Sequence, residues 1–437
     1  MAELVNFVIF GGTGDLTRRK LVPALAELVN SGVLDSKSTI IGLSRKDMAD
    51  EEYNKFLMDS VKEGKYREHI SQLNVKYLSL DVSAGKLDKL GDLLAHCRGD
   101  CKTIFYLATS FLFFNHISRE LKRLGLNKSQ RGFSRIIFEK PFGRDLQSSK
   151  QLSQEIHNSF DEESVYRIDH YLAKETIQNM VTFNFTNPII HSTMNNRYVE
   201  KIEIIADEEL GVGERLGYYH ESGAIRDMIQ SHLLQIVSII LMDKGDIHDE
   251  KKKVMDSLEL MPMDHQLIGQ YSSYGSELKS KSLEYGKTET FAKIVLNCKN
   301  KRWDGVPIVI RTGKKVKKKK GQVIISFKSS EKGLPGNKIL INMYPKQDIV
   351  MSLNARDPFS EKLKEVNFEF SREKEFGPNT VDEYSVLIGE AISGDKTLFA
   401  RDDEVQASWK IVEKIENNRK DIKFVIYEDG IDPESIK

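Results

Sequence analysis

Cysteine is scarce. The chain of 437 residues has three, Cys97, Cys101 and Cys298. An odd, thinly spread set excludes a disulfide framework and fits a reducing compartment. The stretch "HCRGDC" (His96 to Cys101) holds metal-binding residue types, but the second ligand pair of a zinc site is missing, so no metal is expected. An excess of charge of either sign is also lacking: Lys and Arg number 65 and Asp and Glu number 65. Such a balance gives no overall pull toward nucleic acid or an anionic membrane, so any anion must be gripped locally. Long apolar runs are absent as well. "IVSIILM" (Ile236 to Met242) falls far short of the ~20 residues of a membrane span. The opening "MAELVNFVIFGG" has an acid where a signal peptide has a basic region. A cytoplasmic protein with no membrane partner is the expectation.

Apolar residues make up 40% of the chain, enough for substantial cores, and 437 residues call for about two domains. Up to about residue 165, short apolar runs alternate with helical segments. "LVNFVIF", "STIIGLSR", "VKYLSLD", "KTIFYLAT" and "SRIIFEKPFG" read as strands, and their alternation with helices predicts a doubly wound parallel sheet. Residues 166–437 read as a larger α+β domain. Helices come first, and from about Thr288 short alternating runs such as "GQVIISFK" and "NKILINMYP" predict a mainly antiparallel sheet. The tail "EDGIDPESIK" reads as exposed or frayed.

Six features carry chemistry. After the first strand, Gly11, Gly12 and Gly14 allow a tight turn and close approach to a pyrophosphate, and the next helix offers free N–H groups. The strict G-x-G-x-x-G pattern is broken, because Thr17 stands at the third glycine. The second strand ends in "SRKD"; Arg45 favours the 2′-phosphate of NADP, while Asp47 keeps NAD open. "EKPFG" puts Lys140 beyond the carboxyl end of a parallel strand, where ligands bind, with a candidate cis bond at Pro141. "VYRIDHYLAKE" (Val165 to Glu175) crowds Asp169, His170, Tyr171 and Lys174 together, and His232 lies on the apolar stripe of the helix "GAIRDMIQSHLLQIVSIILM". A histidine there is either a satisfied core residue or, with a carboxylate partner, a general base. The lysines of "RTGKKVKKKKGQV" read as a solvated loop or a grip on a phosphate monoester.

Taken in order, "GGTGDLTRRKLVPAL", "EKPFG", "RIDHYLAKE", "GAIRDMIQSHLLQ" and "RWDGVPIVIRTGKK" resemble the glucose-6-phosphate dehydrogenase family; "GQY", "KTETFA", "NARDPF" and "GDKTLFARDDEVQASWK" extend the likeness to about residue 416. The resemblance implies a Rossmann-like dinucleotide-binding domain over 1–165 and a substrate-binding and dimerisation α+β domain over 166–437. It implies oxidation of D-glucose 6-phosphate at C1 to a lactone, with hydride transfer to NADP, in a cytoplasmic homodimer. By position, His232 takes the anomeric proton and Asp169 orients it. His170, Tyr171 and Lys174 hold the phosphate, Glu208 and Asp227 bind sugar hydroxyls, and Lys314 and Lys319 stand on the substrate's other side. Lys140 bridges substrate and nicotinamide. Gly11, Gly12, Thr13, Gly14, Asp15 and Leu16 form the cofactor turn, and Arg45 meets the 2′-phosphate.

The chain departs from the family's pattern at Ala173 (often glycine), at Thr109 and Ser110 (commonly prolines) and at Tyr344 (often glutamine). The alternatives are a dehydrogenase for a modified hexose phosphate or one preferring NAD and, from another class, a non-catalytic sugar-phosphate sensor. Retention of His232 with Asp169 speaks against the sensor, since binding alone needs no base.

Overall fold

The computed structural model describes residues 2–61, 64–83, 85–95, 101–330, 334–360, 362–377 and 382–437. The candidate metal stretch His96–Asp100 therefore lies outside the described residues; Cys101 and Cys298 are free thiols. The chain divides into two compact units, one of residues 1–173 with 380–405, the other of residues 174–379 with 406–437.

Strands run β1 Asn6–Phe10, β2 Thr39–Ser44, β3 Asn74–Ser79, β4 Lys102–Leu107, β5 Phe133–Phe138 and β6 Val165–Ile168, then β7 Val199–Asp207, β8 Leu258–Leu260, β9 Leu267–Tyr271 and β10 Phe291–Cys298. There follow β11 Ile308–Gly313, β12 Lys320–Phe327, β13 Lys338–Tyr344, β14 Asp348–Arg356, β15 Leu363–Ser371, β16 Phe399–Ala400 and β17 Lys423–Tyr427.

In the first unit the order is β16-β6-β5-β4-β1-β2-β3, all neighbours parallel except the short β16 against β6. Phe7 to Phe10 and Ile104 to Leu107 are buried at 0% exposure, as central strands covered on both faces must be. The order reverses between β1 and β4, so a crevice opens at the carboxyl ends of these strands. Helix Glu383–Ser393 returns to this unit from far along the chain because Leu387, Ile388 and Ile392 enter its core beside Leu25 and Ile137. Burying each such side chain contributes roughly 1.5–3 kcal/mol. Arg135 fastens the helix end by donating to Ala391 O and Ile392 O, both at 2.7 Å.

In the second unit ten strands form one sheet, β15-β14-β13-β12-β7-β11-β10-β9-β17 with β8 beside β10. Antiparallel pairing dominates; β7–β11 and β9–β17 are parallel. Helix Leu234–Leu241 is buried on every side, which accounts for its all-round apolar composition. It ends the run Gly213–Leu241, which among the described residues is the helical stretch long and apolar enough to cross a membrane, and whose apolar window is 89% buried inside the protein. The tail is largely exposed, as expected, and is anchored at two points. Ile436 packs among Leu267, Tyr271 and Phe291, and Glu434 pairs with Arg311 at 2.5 Å. Three charged or polar neighbours per apolar residue disguised this anchor in the sequence.

Candidate active site

In the first unit the glycine turn is built as its spacing requires, by a different device at the third glycine position. Gly11 N and Gly12 N both donate to Leu43 O at 2.9 Å, which ties the turn to β2. Gly11 has φ +92°, and a Cβ there would lie 2.3 Å from Ala108 O. Thr17 is fully buried, and its hydroxyl donates to Gly11 O at 2.9 Å, so the residue that breaks the sequence pattern pins the turn from within. Thr13 donates to Ser44 Oγ at 2.9 Å, and Ser44 shares a 2.7 Å hydrogen bond with Tyr77. Leu16 packs on the core, whereas Asp15 is exposed and paired with Arg19 at 3.6 Å.

A cleft of about 400 Å³ follows this turn, lined by Gly11, Thr13, Gly14, Ser44, Arg45 and Lys46, with Thr109 on the far wall. Beside Gly14 a Cβ would meet only Gly11 O, so this flank is a cradle open to a ligand. Free N–H groups at the helix start and two cations at the end of β2 suit a phosphorylated dinucleotide. Asp47 is exposed and does not line the cleft. Ser110, at one of the unusual positions, accepts from Leu112 N at 3.4 Å and starts a short turn.

Lys140 follows β5, and its bond to Pro141 is cis. The preceding Glu139 accepts from Tyr106 at 2.5 Å; burial raises its pKa first of all, against the hydrogen bonds from Tyr106 and Tyr384. After β6, Asp169 is 3% exposed and its Oδ1 accepts from Tyr171 N at 3.0 Å, an Asx turn that sets His170 and Tyr171. Their rings lie 5.0 Å apart. Ala173 is buried in the core of this unit, so its extra methyl is packed and displaces nothing toward the loop surface. Arg167 pairs with Glu162 at 2.7 Å.

The second unit carries the remaining candidates in two groups. His232 (1% exposed) and Asp227 (8%) lie on the run Ile225–Leu233, which is π-wound. The sequence predicts an ordinary helix here. In that winding residues five apart sit ~140° round the axis from each other. Closing i→i+5 hydrogen bonds instead brings residues five apart, such as Asp227 and His232, close to one face. Lys314 makes an ion pair with Glu208 at the end of β7 and lies 5.2 Å from the Tyr219 ring. Burial, and after it the Asp227 charge, raises the pKa of Tyr219. The second group centres on Tyr344: Lys174 lies 5.9 Å and Lys319 5.4 Å from its ring centroid. Two cations thus share one aromatic ring where the related pattern has an amide. Glu175 pairs with Arg372 at 2.8 Å and is structural. The lysine run is less solvated than its composition implies, since Lys315 reaches Glu277 at 2.8 Å and Asp429 at 3.1 Å.

Sequence reasoning gave no role to Tyr219 or Glu289, although Glu289 stands inside the quoted motif "KTETFA".

Comparison with known proteins gives this arrangement its setting. Residues 8–179 match the family model described as glucose-6-phosphate dehydrogenase, NAD binding domain, and residues 181–436 match its C-terminal domain. The glucose-6-phosphate 1-dehydrogenase of Borreliella burgdorferi is 34% identical over 97% of this chain and 93% of its own length. That of Buchnera aphidicola is 35% identical over 96% and 92%. A solved glucose-6-phosphate dehydrogenase in complex with glucose 6-phosphate superposes with a TM-score of 0.90 at 29% identity, covering 99% of this chain and 96% of that one. With both domains matched in order along nearly its whole length, the chain belongs to the glucose-6-phosphate dehydrogenase family.

Proposed function

We propose that the chain oxidises D-glucose 6-phosphate at C1 to the 6-phosphogluconolactone with NADP as acceptor. The observation that carries this is the match of both family models along nearly the whole chain, with the candidate residues on the elements just described. A buried histidine and a buried aspartate share a π-wound face, an acid–lysine pair closes β7 and β11, and two lysines flank one ring.

His232 is the base that removes the anomeric proton, and Asp169 orients it. Asp227 and Glu208 accept hydrogen bonds from sugar hydroxyls, with Lys314 beside Glu208. His170, Tyr171 and Lys174 hold the phosphate, and Lys319 stands on the opposite flank. Phosphate binding far from C1 supplies orientation at C1, which is where remote binding energy is best used. Gly11, Gly12, Thr13, Gly14, Asp15 and Leu16 hold the cofactor's pyrophosphate end, Arg45 its 2′-phosphate, and Lys140 stands between cofactor and substrate. When bound, the oxidised nicotinamide accepts the hydride from C1.

The reading extends to a cytoplasmic homodimer, supported by exposed apolar side chains on β14 and β15. Its test is reduction of NADP and NAD, followed by absorbance, over a panel of hexose phosphates, with His232→Asn alongside. Glucose 6-phosphate with NADP is expected to lead. The variant loses roughly 10²–10⁴-fold in turnover, the worth of a general base, and keeps its substrate affinity. Turnover surviving in the variant, or none in the native chain, refutes the reading.

A further inference from the structure

The run that carries Asp227 and His232 is capped from outside. Ala224 N donates to the backbone carbonyl of Glu289 at 2.9 Å, and Ile225 N donates to Glu289 Oε1 at 3.0 Å. Gly223, just before, has φ +67°, and a Cβ on it would lie 2.3 Å from that same carboxylate oxygen. Glu289 is 3% exposed, and its other oxygen is paired with Arg419. Arg419 also donates to Lys287 O at 3.1 Å and lies 3.3 Å from Glu416, whose carboxylate reaches Arg226 at 3.3 Å. The network thus returns to the helix from which it started.

The next residue does the same for a second element of the site. Thr290 O accepts from Lys314 N at 2.9 Å, and Thr290 Oγ1 meets both Tyr271 N at 3.0 Å and Tyr427 OH at 2.8 Å. Tyr427 OH in turn donates to Lys314 O at 2.7 Å. Two consecutive residues at the entrance to β10 therefore hold the helix of Asp227 and His232 on one side and the Lys314 loop on the other.

We propose that Glu289 is a positioning residue for the reaction: with Arg419 as its counter-ion, it sets the rotation of the π-wound run so that Asp227 and His232 address the same substrate. The proposal rests on the function assigned above. The first N–H groups of a helix have no partner within it, and a carboxylate placed there satisfies them and complements the helix dipole. A π-wound start has poorer intrinsic stability than an α-wound one, so an outside anchor at its first residue decides which winding persists. Gly223 leaves the room that the carboxylate needs. The anchor is buried, so removing its charge leaves Arg419 with Glu416 as its remaining acidic partner and loosens its hold on the helix start.

The test compares Glu289→Gln, Arg419→Met and the double variant with the native chain at 25 °C. Kinetics, calorimetric binding of glucose 6-phosphate, and circular dichroism for the fold are read together. A misplacement of about 1 Å in a reacting group costs about 100-fold, so kcat/KM for glucose 6-phosphate is expected to fall by about that factor in E289Q. KM for NADP is expected to stay within about twofold, and Arg419→Lys, which keeps the charge without the guanidinium fork, to lose less activity than Arg419→Met. The double variant should be no worse than E289Q, because both changes break one anchor. E289Q with a lowered Tm but unchanged kcat and glucose 6-phosphate binding overturns the proposal, as does an equal loss toward both substrates. R419M, at a side chain that is 28% exposed, decides the matter if E289Q does not fold. A native chain without turnover would refute the assigned function, while the calorimetric comparison would still judge the anchor.

Discussion

At the scale of single residues, Tyr344 shows how a departure from a pattern is absorbed. An amide reads hydroxyls through two directed hydrogen bonds, whereas an aromatic ring attracts cations with its face. Here the ring has Lys174 and Lys319 within 6 Å, so two cations gather at this position through the ring face. Arg45 is the sharper case for choosing between cofactors. It lines the cleft with Lys46 while the competing acid Asp47 does not. A hydrogen bond between charged groups contributes about 1.5–3 kcal/mol, so Arg45→Ala should weaken NADP by about 10–100-fold. NAD lacks the 2′-phosphate and should bind the variant nearly as well as the native chain. Fluorescence titration with both cofactors checks this; equal losses would mean that Arg45 does not meet that phosphate.

At the scale of elements, the parallel seam β7–β11 carries a buried ion pair, Asp207 to Arg311 at 2.8 Å, with Glu434 of the tail on the other side of the guanidinium. Burial raises the Asp207 pKa to about 6, against the opposing pull of Arg311 and Lys320. An unfolded aspartate titrates near ~3.9, so between those values the folded chain binds more proton than the unfolded one. The contribution of Asp207 to stability is thus full below ~4 and is lost as pH rises through about 6. In Asp207→Asn this dependence vanishes. The Tm advantage of the native chain over the variant should therefore be larger at pH 4 than at pH 7, by thermal melts across the range. A gap independent of pH would show that the carboxyl does not titrate there. The seam also ties down the tail: the Arg311 guanidinium, already paired with Asp207, takes Glu434 as a second partner. Neither partner is near the other in sequence, so no local pattern announces the contact.

At the scale of the whole molecule, the outer end of the large sheet carries grouped apolar side chains that stay exposed. Val366, Phe368 and Phe370 alternate along β15 and so share one face, and they are 38%, 55% and 39% exposed. Leu353 of β14 stands opposite Val366 in register and is 39% exposed. Grouped apolar exposure of this kind marks an association surface. Phe368→Asp should convert the proposed homodimer to monomer at micromolar concentration in sedimentation velocity without lowering Tm by the amount a core change would. A native chain that sediments as a monomer, or a variant that remains dimeric, would place the surface elsewhere.

What the amino-acid order determined by itself were the features whose physics is local. Continuous apolar runs ending in glycine turns specify buried parallel strands. A cation after β2 favours a phosphate there, and motifs with fixed internal spacing mark the loop from Asp169 to Lys174. Tertiary structure alone decided the rest. Residues 380–405 join the first unit because their apolar face finds the core there, a gain no local window can register. Thr17 replaces a glycine because its hydroxyl finds a carbonyl six residues back in a turn already closed. The run from Ile225 to Leu233 shows an apolar stripe that fits α and π winding alike, and the choice falls to Glu289, a residue more than fifty positions away whose carboxylate holds the first turn. Periodicity reports which face is buried; how the face is wound depends on what it is fastened to.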